Sequence, residues 1–305
     1  MMQHPFTVVA AVNDRRVLHS NLLRSPELCG RSVHQVLLRE GYACAAHAYN
    51  SAIEEARHDL MLFVHQDVYL PDGWFSKVLH AIRRLDREGI RWGVIGAYGP
   101  RKADDGRPGP VYLGRIHTTG LGLHGEWIDK PEPVETLDEI VLVFRKSSGL
   151  RFDPQLPHFH MYGVDVCLSA RSRGWANYAV PAPCIHNTNQ LLVLPAEFYR
   201  CYRYIKHKWA RFLPIRTSCI EISRFDAELH WRKTRELLAR ALPHRPVPMR
   251  RVADPRMLLP FDRSQTACPK PGAPPGGDAE RAAGRRRRIE TSAGRRTSTL
   301  GRPGH

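Results

Sequence analysis

Short uninterrupted apolar runs alternate with amphipathic stretches along most of the chain, and the two patterns predict different elements. Leu60–Val64 is five apolar residues in a row, long enough for a strand covered on both faces, and it runs straight into His65-Gln66-Asp67. Phe6–Val12 is a second such run and ends on Asn13-Asp14. Further strands are predicted at Ser32–Leu38, closed by Arg39-Glu40-Gly41, and at Trp92–Ala97, Ile140–Phe144 and Tyr178–Val180. Helices are predicted at Tyr49–Arg57, from Trp74 to near Gly89, and at Tyr162–Arg173, where Gly174 stops the helix. Between Trp74 and Gly89 the positions Phe75, Val78, Leu79, Ile82 and Leu85 fall at helical spacing. Strands alternating with helices predict an α/β fold with a mostly parallel, doubly wound sheet.

Polar groups collect where these strands end. In open α/β sheets the carboxyl ends of the strands face the ligand crevice, so an aspartate just past a central strand can hold a cation or a phosphate-bearing ligand. Asp67 is so placed, although it could equally cap the helix that follows Pro71 and Asp72. Asn13 and Asp14 allow the same pair of readings, ligand contact or a turn. Gly99–Pro133, rich in Gly, Pro and charge, is too long for an inert connector and reads as a functional loop region. Phe198, Tyr202, Ile205 and Trp209 recur at helical spacing among Arg and Lys residues. That pattern suits a helix packed on the core, or a basic surface helix at a membrane or phosphate.

Composition narrows the class. With 305 residues and 42% hydrophobic content, the chain can bury a sizeable core, and no window approaches a membrane span. The seven cysteines form no CxxC pair, so free thiols and a cytoplasmic setting are expected. The formal charge is +16, but residues 245–305 hold 14 Lys and Arg against 5 Asp and Glu. Most of the excess therefore belongs to a Pro/Arg-rich segment, 243–305, that lacks apolar periodicity and is expected to be a disordered basic tail. Specific nucleic-acid binding is not expected of the folded part, taken as residues 1–242 with a helical segment over about 196–242.

Several segments, in order, resemble the GT-A glycosyltransferases of family two, and within them the streptomycin-biosynthesis glycosyltransferase-like group. They are Val12-Asn13-Asp14, Asn21–Pro26, Ala48–Ala52, Phe63–Val68, Leu137-Asp138-Glu139, Ser148–Asp153, Phe159–Asp165 and Ile185–Thr188. The resemblance implies a metal-dependent, inverting transfer of a sugar from a nucleotide-diphosphate donor to a hydroxyl acceptor, whether glycan, lipid-linked or small molecule. The family's acidic DxD motif reads His65-Gln66-Asp67 here, which implies Asp67 as a ligand of Mn²⁺ or Mg²⁺, with His186 near the same ion. Asn13, Asp14, Glu40, His65 and Gln66 are the implied nucleotide-sugar contacts. Asp165, in Gly163-Val164-Asp165, stands where the family places its general base, and Asp138, Glu139 and His160 fall in the implied acceptor region. The departures at His65 and Val164 keep a second expectation open, a domain that binds nucleotide or glycan without turnover.

Overall fold

The computed structural model describes residues 4–29, 33–102, 110–190, 193–241 and 249–259. In chain order the elements begin β1 (Thr7–Val12), α1 (Arg15–Ser20), β2 (Gln35–Glu40), α2 (Ala45–Glu55), β3 (Leu60–Val64), β4 (Val68–Tyr69) and α3 (Trp74–Arg87). Next come β5 (Trp92–Gly96), β6 (Tyr98–Pro100), β7 (Tyr112–Gly114), β8 (Ile116–Thr118), β9 (Gly122–His124), β10 (Glu132–Val134) and β11 (Val141–Arg145). The last are α4 (Tyr162–Ser172), β12 (Ala176–Ala179), β13 (Cys184–His186), α5 (Ala196–Lys208) and α6 (Ala227–Ala241).

Seven strands form the central sheet in the order β10-β12-β5-β11-β3-β1-β2. β1, β2, β3, β5 and β12 run one way, while β11, wedged between β3 and β5, and the edge strand β10 run against them. The fold is therefore α/β with a mostly parallel sheet, as the alternation of runs predicts. Every residue of β3 is buried, because both faces are covered. Met61 and Phe63 pack into one apolar layer with α2, α4 and α5, and Leu60, Leu62 and Val64 into the other with α3. This period-two division is why the run needs no polar positions.

Several elements differ from expectation. β2 lies about three residues later than predicted. α2 starts at Ala45 rather than Tyr49, its first amide donating to the His158 carbonyl at 2.9 Å, a contact no local pattern encodes. Asn13-Asp14 is not a simple turn: the Asp14 carboxylate accepts from the Arg16 and Val17 amides and caps α1. Gly99–Pro133 is strand-rich in its described part. β6 pairs with β7, and β8 pairs with β9 in a second sheet ordered β4-β13-β8-β9. The helical segment is two helices, α5 and α6, separated by a stretch in which Ile215 and Ile222 bridge. On α5 the aromatic stripe is buried, with Phe198, Tyr202, Ile205 and Trp209 all packed in the core, so packing accounts for it.

Residues 249–259 differ from the expected tail. Gln190 donates its amide to the Met249 carbonyl at 2.9 Å, and the Asn187 side chain both accepts from the Val252 amide and donates to its carbonyl, each at 2.8 Å. Asp254 caps a short turn at Pro255–Leu258 and pairs with Arg24 at 3.8 Å. These partners are supplied by distant residues, and the composition of the segment gives no sign of them. The remainder of the predicted tail, with Arg285–Arg288, lies outside the described residues. Among the described residues the six cysteines are free thiols, and no helix is long and apolar enough to cross a membrane.

Candidate active site at the carboxyl edge of the sheet

The ends of β1, β2 and β3 lie side by side, with Val12 opposite Glu40 in the register, and the polar residues that follow these strands meet there. Gln66 binds the next loop through its side chain. Its Oε1 accepts from the Asn13 and Asp14 amides, both at 3.1 Å, and its Nε2 donates to the Asn13 carbonyl oxygen of the side chain. Glu40 makes a two-pronged pair with Arg15 at 2.8 and 3.1 Å. Each partner holds the other in its charged form, lowering the acidity of Arg15 and raising that of Glu40. Asn13, Asp14, Glu40 and Gln66, the expected nucleotide-sugar contacts, thus lie along one edge of the sheet.

Asp67 follows directly, and the second sheet delivers its partner. β13 pairs antiparallel with β4, setting His186 opposite Val68, and the Asn187 amide donates to the Asp67 carbonyl at 2.9 Å. His65, Asp67 and His186 converge so that one ligand atom from each lies within 4.8 Å of the other two. His186 Nε2 is 3.4 Å from Asp67 Oδ1. Burial works against ionisation of Asp67, but the nearby His186, its hydrogen bond, His65 and the Thr188 hydroxyl outweigh it and hold the carboxyl well below the usual range. For His186 the order is the same: burial lowers its basicity, and the Asp67 charge and hydrogen bond more than restore it. His65 goes the other way. Burial pushes it down to about 4, against the pull of Asp67 and with a further push from His186, so it is neutral at ordinary pH.

The orientation of His65 is set by Tyr162 at the start of α4. The Tyr162 hydroxyl donates to the Glu139 carbonyl at 3.0 Å and lies 2.7 Å from His65 Nε2. A hydroxyl has one proton, so with that proton on Glu139 the imidazole donates through Nε2, leaving the Nδ1 lone pair free. Two imidazoles and a carboxylate form a mixed nitrogen and oxygen donor set suited to a divalent transition ion. Tyr162 lies inside the Phe159–Asp165 segment, yet only the pairing of distant elements reveals its contact with His65.

The acidic pair before β11 divides its work. Glu139 Oε1 accepts from the Met161 amide at 3.1 Å and Oε2 from the Gly163 amide at 3.3 Å, so this carboxyl anchors the start of α4. Burial first and Asp138 second push it up to about 8. Asp138 is half-buried, accepts from the Ile140 amide through Oδ1, and its charge is felt by His65, His186 and His124. Among the described residues Oδ2 of Asp138 makes no hydrogen bond. His160 is half-buried, edge-on to Phe198 at 5.8 Å, and its charge also registers on His65. The loop carrying it holds His158 and Met161 in the left-handed region, at φ 60° and 61°, where non-glycine residues are strained.

Asp165 is not brought to this cluster. It is 1% exposed, and its Oδ1 is taken up by Lys208 and the Trp209 indole, each at 2.7 Å. Lys208 also reaches Asp153 at 2.5 Å, so the three residues tie α4, α5 and the 150–155 segment together. Burial nevertheless raises the Asp165 carboxyl above its ordinary value, with Lys208 opposing. The expectation that Asp165 receives the acceptor's proton conflicts with this geometry: the position matches the motif, but the side chain faces the α5 packing surface.

No protein-family model matches the chain. It is 28% identical over 157 residues to a Fuscovulum blasticum protein described as "ATP synthase subunits region ORF 6", covering 50% of this chain and 61% of that one. Among solved structures it is similar to Staphylococcus aureus TarS 1-349, with 14% identity, TM-score 0.37, and 67% and 65% of the two chains covered. The same fragment in complex with UDP-GlcNAc gives 15% identity and a TM-score of 0.38, with 67% and 66% covered. A197 from STIV gives 12% identity and a TM-score of 0.36, with 59% and 83% covered. The chain therefore spans about two thirds or less of the curated relative and of the TarS fragment.

Proposed function

We propose that this chain is a glycosyltransferase that moves a sugar from a nucleotide-diphosphate donor to a hydroxyl acceptor, with inversion and with a divalent ion at His65, Asp67 and His186. The observation that carries this reading is the convergence of those three side chains just past the central strand, beside the Asn13, Asp14, Glu40 and Gln66 rim. It agrees with the ordered segments that resemble family-two GT-A enzymes. The donor set favours Mn²⁺ over Mg²⁺, because Mg²⁺ prefers an all-oxygen shell. When bound, such an ion offsets the negative charge that builds on a departing diphosphate.

The chain's own groups account for the rest. The rim residues orient the nucleotide. Asp138 Oδ2 takes the proton from the acceptor hydroxyl as that oxygen attacks the anomeric carbon, and the sugar–phosphate bond breaks on the opposite face. Glu139 and Tyr162 hold Asp138 and His65 in place. Glycan, lipid-linked and small-molecule hydroxyls all remain within the proposed acceptor class.

The test is to incubate the purified chain with a panel of nucleotide sugars, with Mn²⁺, with Mg²⁺ and with chelator, measuring both binding and release of nucleoside diphosphate. Binding and release with Mn²⁺, lost on Asp67→Ala, are expected. Failure to bind any nucleoside diphosphate in any condition overturns the proposal. The closed state of Asp165 favours one second reading, a domain that binds donor without turnover, and metal-dependent binding with no release would select it.

A further inference from the structure

Asn187, the residue after His186, is fully buried, and its side-chain amide is bonded on every side. Oδ1 accepts from the Thr119 hydroxyl at 3.1 Å and from the Val252 amide at 2.8 Å, while Nδ2 donates to Asn21 Oδ1 and to the Val252 carbonyl, both at 2.8 Å. A primary amide offers two donor and two acceptor positions, so these four bonds exhaust it.

Backbone bonds place this amide at the joint between Asp67 and His186. The Asn187 amide donates to the Asp67 carbonyl at 2.9 Å, and the Thr119 amide to the His186 carbonyl at 3.1 Å. Leu22, next to Asn21, donates its amide to the Gln66 carbonyl at 3.4 Å. Gln66-Asp67 is therefore held through Leu22 on one side and Asn187 on the other, and the Asn21 and Asn187 side chains are bonded to each other. Val252 fills two of the four positions on Asn187, and its neighbours are fastened to the same loop: Asn189 Oδ1 accepts the Arg251 amide and Gln190 Oε1 the Met249 amide, each at 3.1 Å. A buried amide deprived of two partners is costly, and the loop that carries it, His186 included, is then no longer held in one arrangement.

We infer that residues 249–259 brace the metal-type cluster, and that Asn187 is the positioning residue through which the brace acts on Asp67 and His186. The inference rests on the reading of His65, Asp67 and His186 as an ion site. The brace itself contributes no ligand; it keeps two ligands from separate segments of the chain at ion-binding separation. Because the same bonds serve both, ion binding and seating of 249–259 are coupled, and each favours the other by the same factor.

Two readouts on the full chain test this: Mn²⁺ affinity by paramagnetic resonance, without nucleotide, and the rate of tryptic cleavage after Arg250 and Arg251, followed by mass spectrometry. Asn187→Ala is expected to lower Mn²⁺ affinity about 10- to 100-fold, the usual cost of losing a group that orients a metal ligand. The double variant Asn189→Ala/Gln190→Ala changes neither Asn187 nor a ligand. It is expected to speed cleavage at both arginines and to lower Mn²⁺ affinity about 5-fold or more, and saturating Mn²⁺ is expected to slow the same cleavage in the wild type at least as much. Wild-type Mn²⁺ affinity in Asn187→Ala, with only a lower melting point, makes the residue structural and overturns the assignment. Faster cleavage in the double variant with unchanged Mn²⁺ affinity overturns the brace, as does cleavage no faster than in the wild type. If Asn187→Ala does not fold, the double variant and the protection by Mn²⁺ still decide. A wild type that binds no Mn²⁺ removes the ion site, and the inference with it, a result distinct from every outcome above.

Discussion

His65 stands where an acidic residue would make the simpler metal site, and its usefulness depends on a hydroxyl 97 positions away. Because Tyr162 donates to the Glu139 carbonyl, it is left to accept from His65 Nε2, and Nδ1 keeps a lone pair that the proposed ion would take. Tyr162→Phe removes that acceptor while keeping the ring that packs against Tyr49 and Phe152. Mn²⁺ affinity, titrated by paramagnetic resonance, is expected to fall about 10- to 100-fold, the usual cost of losing the group that orients a metal-binding histidine. An unchanged affinity would mean that His65 does not bind the ion through Nδ1. The mirror-image change, Asp67→Asn, removes the negative ligand itself and is expected to abolish Mn²⁺ binding with little change in fold.

At the scale of elements, α4 and the turn before β11 form one unit. Gly163 has no room for a side chain: a Cβ there would come within 2.9 Å of Glu139 Cβ and 3.2 Å of the Leu137 carbonyl oxygen. Gly163→Ala must push the 137–139 turn aside, moving Asp138, and is expected to cost about 1–3 kcal/mol by denaturant melt as well as lowering turnover. Asp165, two residues on, gives the contrasting case. Asp165→Asn weakens its bonds to Lys208 and Trp209, so a loss of about 1–3 kcal/mol is expected, with turnover kept within a few-fold. Asp138→Asn should reverse the pattern, with nearly unchanged stability and turnover down about 10²- to 10⁴-fold. Loss of turnover in Asp165→Asn at that larger scale would return the base to Asp165. This pair of aspartates also shows where the sequence runs out. That Asp67 and Asn13 follow buried strands was legible, because each comes just after an apolar run and a strand's end is a local property. The partners of Asp165 are decided instead by α5 and the residue after it, since Lys208 and Trp209 claim its carboxylate from about forty residues away. The order of residues 249–259 was illegible for the same reason, their hydrogen bonds being lent by Asn187, Asn189 and Gln190 rather than by any pattern of their own.

For the molecule as a whole, two half-buried groups tilt stability in opposite directions with pH. His34 lies stacked on Phe75 at 4.0 Å and accepts the Phe6 amide through Nδ1; burial first, and His58 second, push it down to about 4. The unfolded chain then binds more protons at this site between about pH 4 and 6.5, so its contribution to stability is lost as pH falls through that window. Glu139 is the reverse case. Its folded value of about 8 lies above that of the unfolded chain, with Asp138 as the neighbouring charge and the Met161 and Gly163 amides pulling the other way. The folded state therefore keeps the extra proton, and the contribution is present below about pH 4.5 and lost as pH rises towards 8. Glu139→Gln cannot ionise and still accepts one amide, so subtracting its stability from the wild type's isolates this group from His34. The difference, measured by denaturant melts in chelator from pH 5 to 9, is expected to shift steadily against the wild type up to about pH 8 and then to level off, because above that value the carboxyl is ionised in the folded and the unfolded chain alike. A difference that stays flat across the range would place the Glu139 carboxyl in contact with water, and would remove the rigid anchor that the position of Asp138 requires.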